Sequence, residues 1–255
     1  MFNPFSIIIG LGASLGLMLV AIRAPKQKAA SQLNASLWIL LGSLIGARSG
    51  FVAANWGYFQ SHGLEIPQVW LGGLSWAGAA LGGLLSLAVV ALARKGELGT
   101  LADAMVPLAL VLTLAAWLGA WESGIAYGPA APNVWWAAPT PDEWGVWALR
   151  WPLQPLGALA VLVIFGLVDQ LRSRLHQPGE AASLALMGIA LSVFGLSFLR
   201  ADPGQTWRDW RLDSWAGLVF VGLAFVFCVA AFWPRRKKAL RASGLTMQND
   251  LLDIK

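Results

Sequence analysis

The chain has 255 residues, 57% of them hydrophobic and only 12% charged, with a formal charge of +5. Soluble domains carry about 25% charged residues, so this charge deficit places the chain in lipid. The basic residues gather in short loops and on no single face, which excludes a nucleic-acid surface, and a single cysteine excludes an intramolecular disulfide framework.

A helix needs about 20 apolar residues to cross roughly 30 Å of hydrocarbon. Seven runs meet that need, and the expected architecture is an all-α integral membrane protein, a bundle of seven transmembrane helices. The first run, Phe5–Ile22, lacks a basic leader and a convincing cleavage site, and reads as a retained span and not a signal peptide. The second, Ala35–Tyr58, carries Arg48 in the middle of the apolar stretch from Leu41 to Val52. A guanidinium stays charged at any relevant pH, and at bilayer depth it costs roughly 3 kcal/mol or more unless paired or wetted. Arg48 therefore points to a polar cavity with an anionic occupant, for which a lipid phosphate is the candidate. The alternative is a structural pair with an internal carboxylate such as Asp103.

The third run, Trp70–Ala93, opens in a glycine-rich stretch containing Gly72, Gly73 and Gly78, with Gly46 and Gly50 on the preceding span. Small residues let backbones approach one another, or let a backbone approach a ligand. The fourth run, Leu98–Trp121, holds Asp103 near one end. The longest connection follows, residues 122–151, where Glu122, Asp142 and Glu143 stand among tryptophans and predict an acidic, aromatic cap on the outer face. The fifth run, Pro152–Gln170, begins with Gln154, which serves either a substrate or the first helical turn. The sixth, Ala181–Leu199, ends beside Arg200, either a ligand contact or an anchor snorkelling to the interface. The seventh, Ser214–Trp233, encloses Cys228 as a small packed side chain, and a basic tail, residues 235–255, follows the membrane domain of residues 1–234. Many of the 15 tryptophans lie near run ends, as interfacial anchors do. His62 and His176 fall in separate loops, so neither a metal nor a cofactor is expected.

Alternating the loops between two sides puts 13 of the 18 basic residues on one side and four on the other, with Arg48 between them. The positive-inside rule then sets the N-terminus outside and the C-terminus in the cytoplasm. A small-solute transporter would show matched halves with interrupted helices, and no internal repeat is evident.

The motifs on these runs resemble those of the prolipoprotein diacylglyceryl transferases. Gly46-Ala47-Arg48-Ser49-Gly50-Phe51-Val52 is similar to the family's Gly-Gly-Arg-Ile-Gly-Tyr-Val, and Gly72-Gly73-Leu74-Ser75-Trp76-Ala77-Gly78 to its Gly-Gly-Met-Ser-Phe-His-Gly. Asp103-Ala104-Met105-Val106-Pro107-Leu108 resembles Asp-x-x-Ala-Pro-Leu, Arg150-Trp151-Pro152-Leu153-Gln154 resembles Arg-His-Pro-Ser-Gln, and Phe198-Leu199-Arg200 resembles Phe-Phe-Arg. The resemblance implies a multi-pass protein of the bacterial inner membrane that moves diacylglycerol from phosphatidylglycerol to a lipobox cysteine. Its implied partners are that anionic phospholipid and a prolipoprotein signal peptide. It also implies that Arg48 holds the lipid phosphate, that Gln154 and Arg200 position headgroup or peptide, and that Glu122 stands in part for a missing carboxylate.

The departures fall on residues that carry chemistry. The family's histidine in the third span is Ala77 here, and the arginine of its Gly-Arg-Leu-Gly-Asn-Phe signature is Trp117. Trp151, Leu156 and Gly157 replace histidine, tyrosine and glutamate, while Val193 and Ser197 stand where arginine and glutamate are expected. Loss of a general base lowers a rate by about 100- to 10,000-fold. Two expectations follow: a divergent active transferase, or an inert relative that keeps a lipid-lined cavity as a binding or scaffold subunit.

Overall fold

The computed structural model describes the backbone of residues 4–252 and, Leu71 apart, the side chains of residues 4–232. Among the described residues there are eight α-helices: α1 (Pro4–Arg23), α2 (Ala29–Ala54), α3 (Trp56–Phe59), α4 (Trp76–Ala93), α5 (Leu98–Glu122), α6 (Leu153–Leu171), α7 (Glu180–Ser197) and α8 (Leu212–Leu252). All but the four-residue α3 are long and apolar enough to span a bilayer, α8 through its Leu212–Phe232 portion, and the protein is a seven-span helical membrane protein. Helices satisfy their own backbone groups, which is why lipid admits them. The expected basic tail lies outside the residues whose side chains are described.

The core runs along α5, the most enclosed of the spans. One cluster joins Val20, Ala35, Ile39, Leu87, Met105 and Leu108 from four helices, and a second joins Val106, Leu110, Val161 and Ala185. The helices α2 and α4 pack most closely. A Cβ at Gly78 would stand 2.2 Å from the Gly46 carbonyl oxygen, and one at Gly82 2.2 Å from that of Gly42. The two backbones touch where no side chain intervenes, the packing that small residues permit in a membrane.

Two expected spans begin or end elsewhere. The second stops at Ala54, where Asn55 breaks the helix before the single turn of α3. The third starts only at Trp76: Gly72 and Gly73 have positive φ, outside any helix, and the Ser75 hydroxyl caps the first turn by accepting from the Gly78 amide. At this end of the bundle lie two antiparallel hairpins. In one, β1 (Ala138–Pro141) pairs with β2 (Trp147–Arg150); in the other, β3 (Thr206–Trp207) pairs with β4 (Trp210–Arg211) through Arg208 and Asp209, both at positive φ. The acidic, aromatic cap thus takes the form of hairpins, and this end is called the hairpin end below.

Candidate functional site

Arg48 projects from the last third of α2, six residues before the helix ends at Ala54, into the loop that joins α3 to α4, and it is only 7% exposed. Its Nε donates to the Ile66 carbonyl at 2.7 Å, one terminal nitrogen to Gly72 and Gly73 at 2.8 and 3.1 Å, and the other to Glu65 at 2.6 Å. The rings of Phe59 and Phe51 flank the guanidinium carbon at 5.2 and 5.7 Å. Four of its five N–H groups are engaged, all with neutral carbonyls. No carboxylate stands within 4 Å of it among the described residues, so no direct ion pair neutralises its charge.

The expected alternative, a pair with Asp103, is corrected by the structure. Asp103 accepts the amides of Gly179 and Ala182 at 2.7 and 2.8 Å and caps the start of α7 from α5. That contact lies at the opposite end of the bundle, where the first-turn amides need acceptors.

Beside Arg48 lies an open cleft of about 390 Å³, lined among others by Phe51, Asn55, Tyr58, Glu65, Gly72 and Gly73. The Tyr58 hydroxyl donates to the Glu65 carboxylate at 2.8 Å, and the His62 ring stacks on Tyr58 with centroids 4.1 Å apart. Gly72 and Gly73 serve here as turn residues whose carbonyls face Arg48. Gly73 also lies under the Phe51 ring, 2.4 Å from where a Cβ would stand. Gly46, Gly50 and Gly78 belong to the α2–α4 contact: a Cβ at Gly50 would meet the Gly78 Cα at 3.1 Å.

The other expected site residues are not brought to Arg48. Gln154 is 1% exposed in the first turn of α6, and its Nε2 donates to the Ile125 carbonyl at 3.0 Å. Its Oε1 is buried and accepts nothing from the described residues. Glu122 ends α5 on the exposed surface. Arg200 chelates Asp202 with two bonds of 2.9 and 2.6 Å and meets Asp213 at 2.9 Å. Arg211 lies 3.5 and 3.7 Å from the same aspartates, and the Trp76 indole donates to Asp213 at 2.9 Å. Two cations and two anions cancel there. Burial opposes ionisation of Asp202, but the Arg200 hydrogen bonds, with the charges of Arg200 and Arg211, outweigh it and hold the carboxyl below the usual range. The contribution is therefore full above the ordinary carboxylate range and is lost only as pH falls through that depressed value.

Sequence reasoning missed the junction between these groups. Ile125 binds Gln154, the Ala126 backbone binds Asp202, and the Tyr127 carbonyl accepts the Ala201 amide at 2.9 Å. Ala126 itself sits at φ 57°, a conformation that side chains resist. Tyr127 lies under the Arg150 guanidinium at 4.3 Å and donates to Glu143 at 2.7 Å. Burial and that carboxylate push its phenol up to about 12. The Asp142-Glu143-Trp144-Gly145 turn between extended segments was the available signal for this hairpin.

The positions that depart from the family motifs are filled with packing. A Cβ on Gly157 would stand 2.3 Å from the Trp117 indole, so the ring occupies the space a larger side chain would need. Ala77 packs against the Ala190, Phe220 and Ala224 cluster. The Ser197 and Ser214 hydroxyls pair at 2.9 Å.

A family model described as prolipoprotein diacylglyceryl transferase matches residues 2–230. Among similar proteins is a phosphatidylglycerol–prolipoprotein diacylglyceryl transferase of Bordetella avium, 32% identical over 199 residues, which cover 75% of this chain and 74% of that one. Those of Rhodospirillum rubrum and Paramagnetospirillum magneticum are 29% and 28% identical, covering 72% and 81% of this chain and 68% and 78% of theirs.

Proposed function

Because the chain belongs to the prolipoprotein diacylglyceryl transferase family, we propose that it transfers diacylglycerol from phosphatidylglycerol to the lipobox cysteine of a prolipoprotein in the bacterial inner membrane. In that reaction a thiolate sulfur attacks the glyceryl carbon that bears the phosphate. A C–S bond forms, the C–O bond breaks, and its electron pair leaves with glycerol phosphate. The thiol proton needs an acceptor and the departing phosphate needs positive charge.

Arg48 supplies the charge, and its lack of a carboxylate partner beside a cleft is the observation that carries this reading. Glu65 is the carboxylate at that cleft and the candidate proton acceptor. The unpartnered Gln154 Oε1 suits a hydroxyl of the glycerol headgroup or a peptide amide. Arg200, neutralised by two aspartates, acts by holding the loop that carries it.

A second reading, a relative that binds the lipid without transferring it, is favoured by the Trp117 indole seated on Gly157. Purified protein in phosphatidylglycerol vesicles with a synthetic lipobox peptide separates the two. Peptide gaining the mass of diacylglycerol, with glycerol phosphate released, is the expected result. Retained phosphatidylglycerol without transfer selects the second reading, and a protein that neither transfers nor retains the lipid overturns both.

A further inference from the structure

The hairpin β1–β2 carries an apolar surface that the transfer reaction does not use. Trp144 is 83% exposed and Trp147 67%, Val146 and Leu149 are exposed beside them, and Trp135, 95% exposed, stands on the segment that precedes β1. Exposed indoles in this number mark a contact surface. Every charged side chain of the same hairpin is turned to a partner. Asp142 accepts the amides of Trp144 and Val146 through one oxygen, and the Arg150 guanidinium at 3.2 Å through the other. Glu143 is held by the Tyr127 hydroxyl. The tip is thus left with indole, valine and leucine and no unengaged ion.

We propose that this tip is a membrane anchor, with Trp144, Val146 and Trp147 seated in the interfacial layer of the leaflet at the hairpin end. Three observations select lipid over a protein partner. First, the tip stands at the level where a span ends: the Asp142 carbonyl oxygen is 2.3 Å from where a Cβ of Gly124 would be, two residues beyond α5. Trp121 and Ile125 are exposed at that same level, so the apolar belt of the spans runs on into the hairpin. Second, the sheet offers no edge to an extended peptide. Strand β1 has prolines at 139 and 141, and β2 is covered by residues 129–131 through bonds between Ala131 and Leu149 and between Trp151 and Pro129. Third, indole is the side chain that prefers the bilayer interface, with its ring in the acyl boundary and its N–H toward headgroups.

The single cysteine makes the test direct. Cys228→Ser keeps a donor for the Ser183 carbonyl, which Cys228 meets at 3.4 Å, and gives a background for one nitroxide at a time. Spin labels at Val146→Cys and at Asn133→Cys, an exposed loop position, are compared in phosphatidylglycerol-containing nanodiscs. At 146 collision with oxygen should exceed collision with a water-soluble nickel chelate several-fold, and at 133 the order should reverse. A water-like profile at 146 overturns the anchor, and so does a label reached by neither agent, which would mean a protein partner or second copy covers it. A second measurement removes the label: brominated phosphatidylglycerol should quench wild-type tryptophan emission more than that of Trp144→Ser/Trp147→Ser, and equal fractional quenching refutes the proposal. Neither result depends on transfer activity.

Discussion

Arg48 shows how one side chain can be both a clamp and an open charge. Its carbonyl partners come from Glu65, Ile66, Gly72 and Gly73, so it ties two separate stretches of the α3–α4 loop to the last third of α2. Neutral carbonyls satisfy its donors without cancelling its charge. Arg48→Ala leaves several part-buried acceptors unpaired, each worth about 1–3 kcal/mol before water re-enters from the cleft; a net loss of about 2–3 kcal/mol is expected. Arg48→Lys keeps the charge but loses the planar fork. Thermal unfolding should therefore fall in both variants, while co-purified phosphatidylglycerol, measured by mass spectrometry, should drop only in the alanine form. Equal lipid retention in all three proteins would remove the phosphate role. A cation within an apolar run was legible from the sequence around it, but its partners were not. They are backbone oxygens, and nothing in the side chains of Glu65 or Ile66 announces them. The same holds for Gln154, whose partner is the carbonyl of Ile125.

Seven spans could be read from hydropathy because each must be apolar through roughly 30 Å. Their ends were less legible, since a loop that returns toward the bundle is as apolar as a helix. Asn55, which breaks α2, and Ser75, which caps α4, were the local signals available. Contacts between elements were harder still to anticipate, and the face shared by α5 and α6 is the instructive one. Trp117 fills the space above Gly157, so each residue presupposes the other. Gly157→Ala places a methyl group against an indole that packed neighbours keep from withdrawing, a cost of about 2 kcal/mol. Trp117→Ala alone opens a cavity and costs about 3 kcal/mol or more. The double variant should lose less than the sum, with a coupling of about 1 kcal/mol or more in a denaturation cycle in mixed micelles. Additive losses would mean that the indole can move aside, and the packing argument behind the non-transferring reading would fail with it.

For the whole molecule, the two ends differ in how many basic residues they carry and in how those residues are paired. At the hairpin end, Arg150 is paired with Asp142, while Arg200 and Arg211 share Asp202 and Asp213, so their charges are locally cancelled. Arg208 lies over the Trp207 ring, with no ion pair to a described residue. The opposite end gathers Arg23, Lys26, Lys28, Arg94, Lys95, Arg172 and Arg174, of which Arg23 meets Asp169 at 3.1 Å. Arg94 there bonds only neutral oxygens of Ser31 and Asn34, and so keeps its charge. The hairpin end carries only Arg150, Arg200, Arg208 and Arg211 in its loops, fewer than the opposite end, and the positive-inside rule keeps the end richer in lysine and arginine in the cytoplasm. The arrangement predicts the hairpin end outside and the C-terminus in the cytoplasm. A C-terminal fluorescent protein that matures only in the cytoplasm should glow, and alkaline phosphatase inserted after Asn133, active only once exported, should work. The opposite pair of results would reverse the orientation and move the tryptophan anchor to the cytoplasmic leaflet.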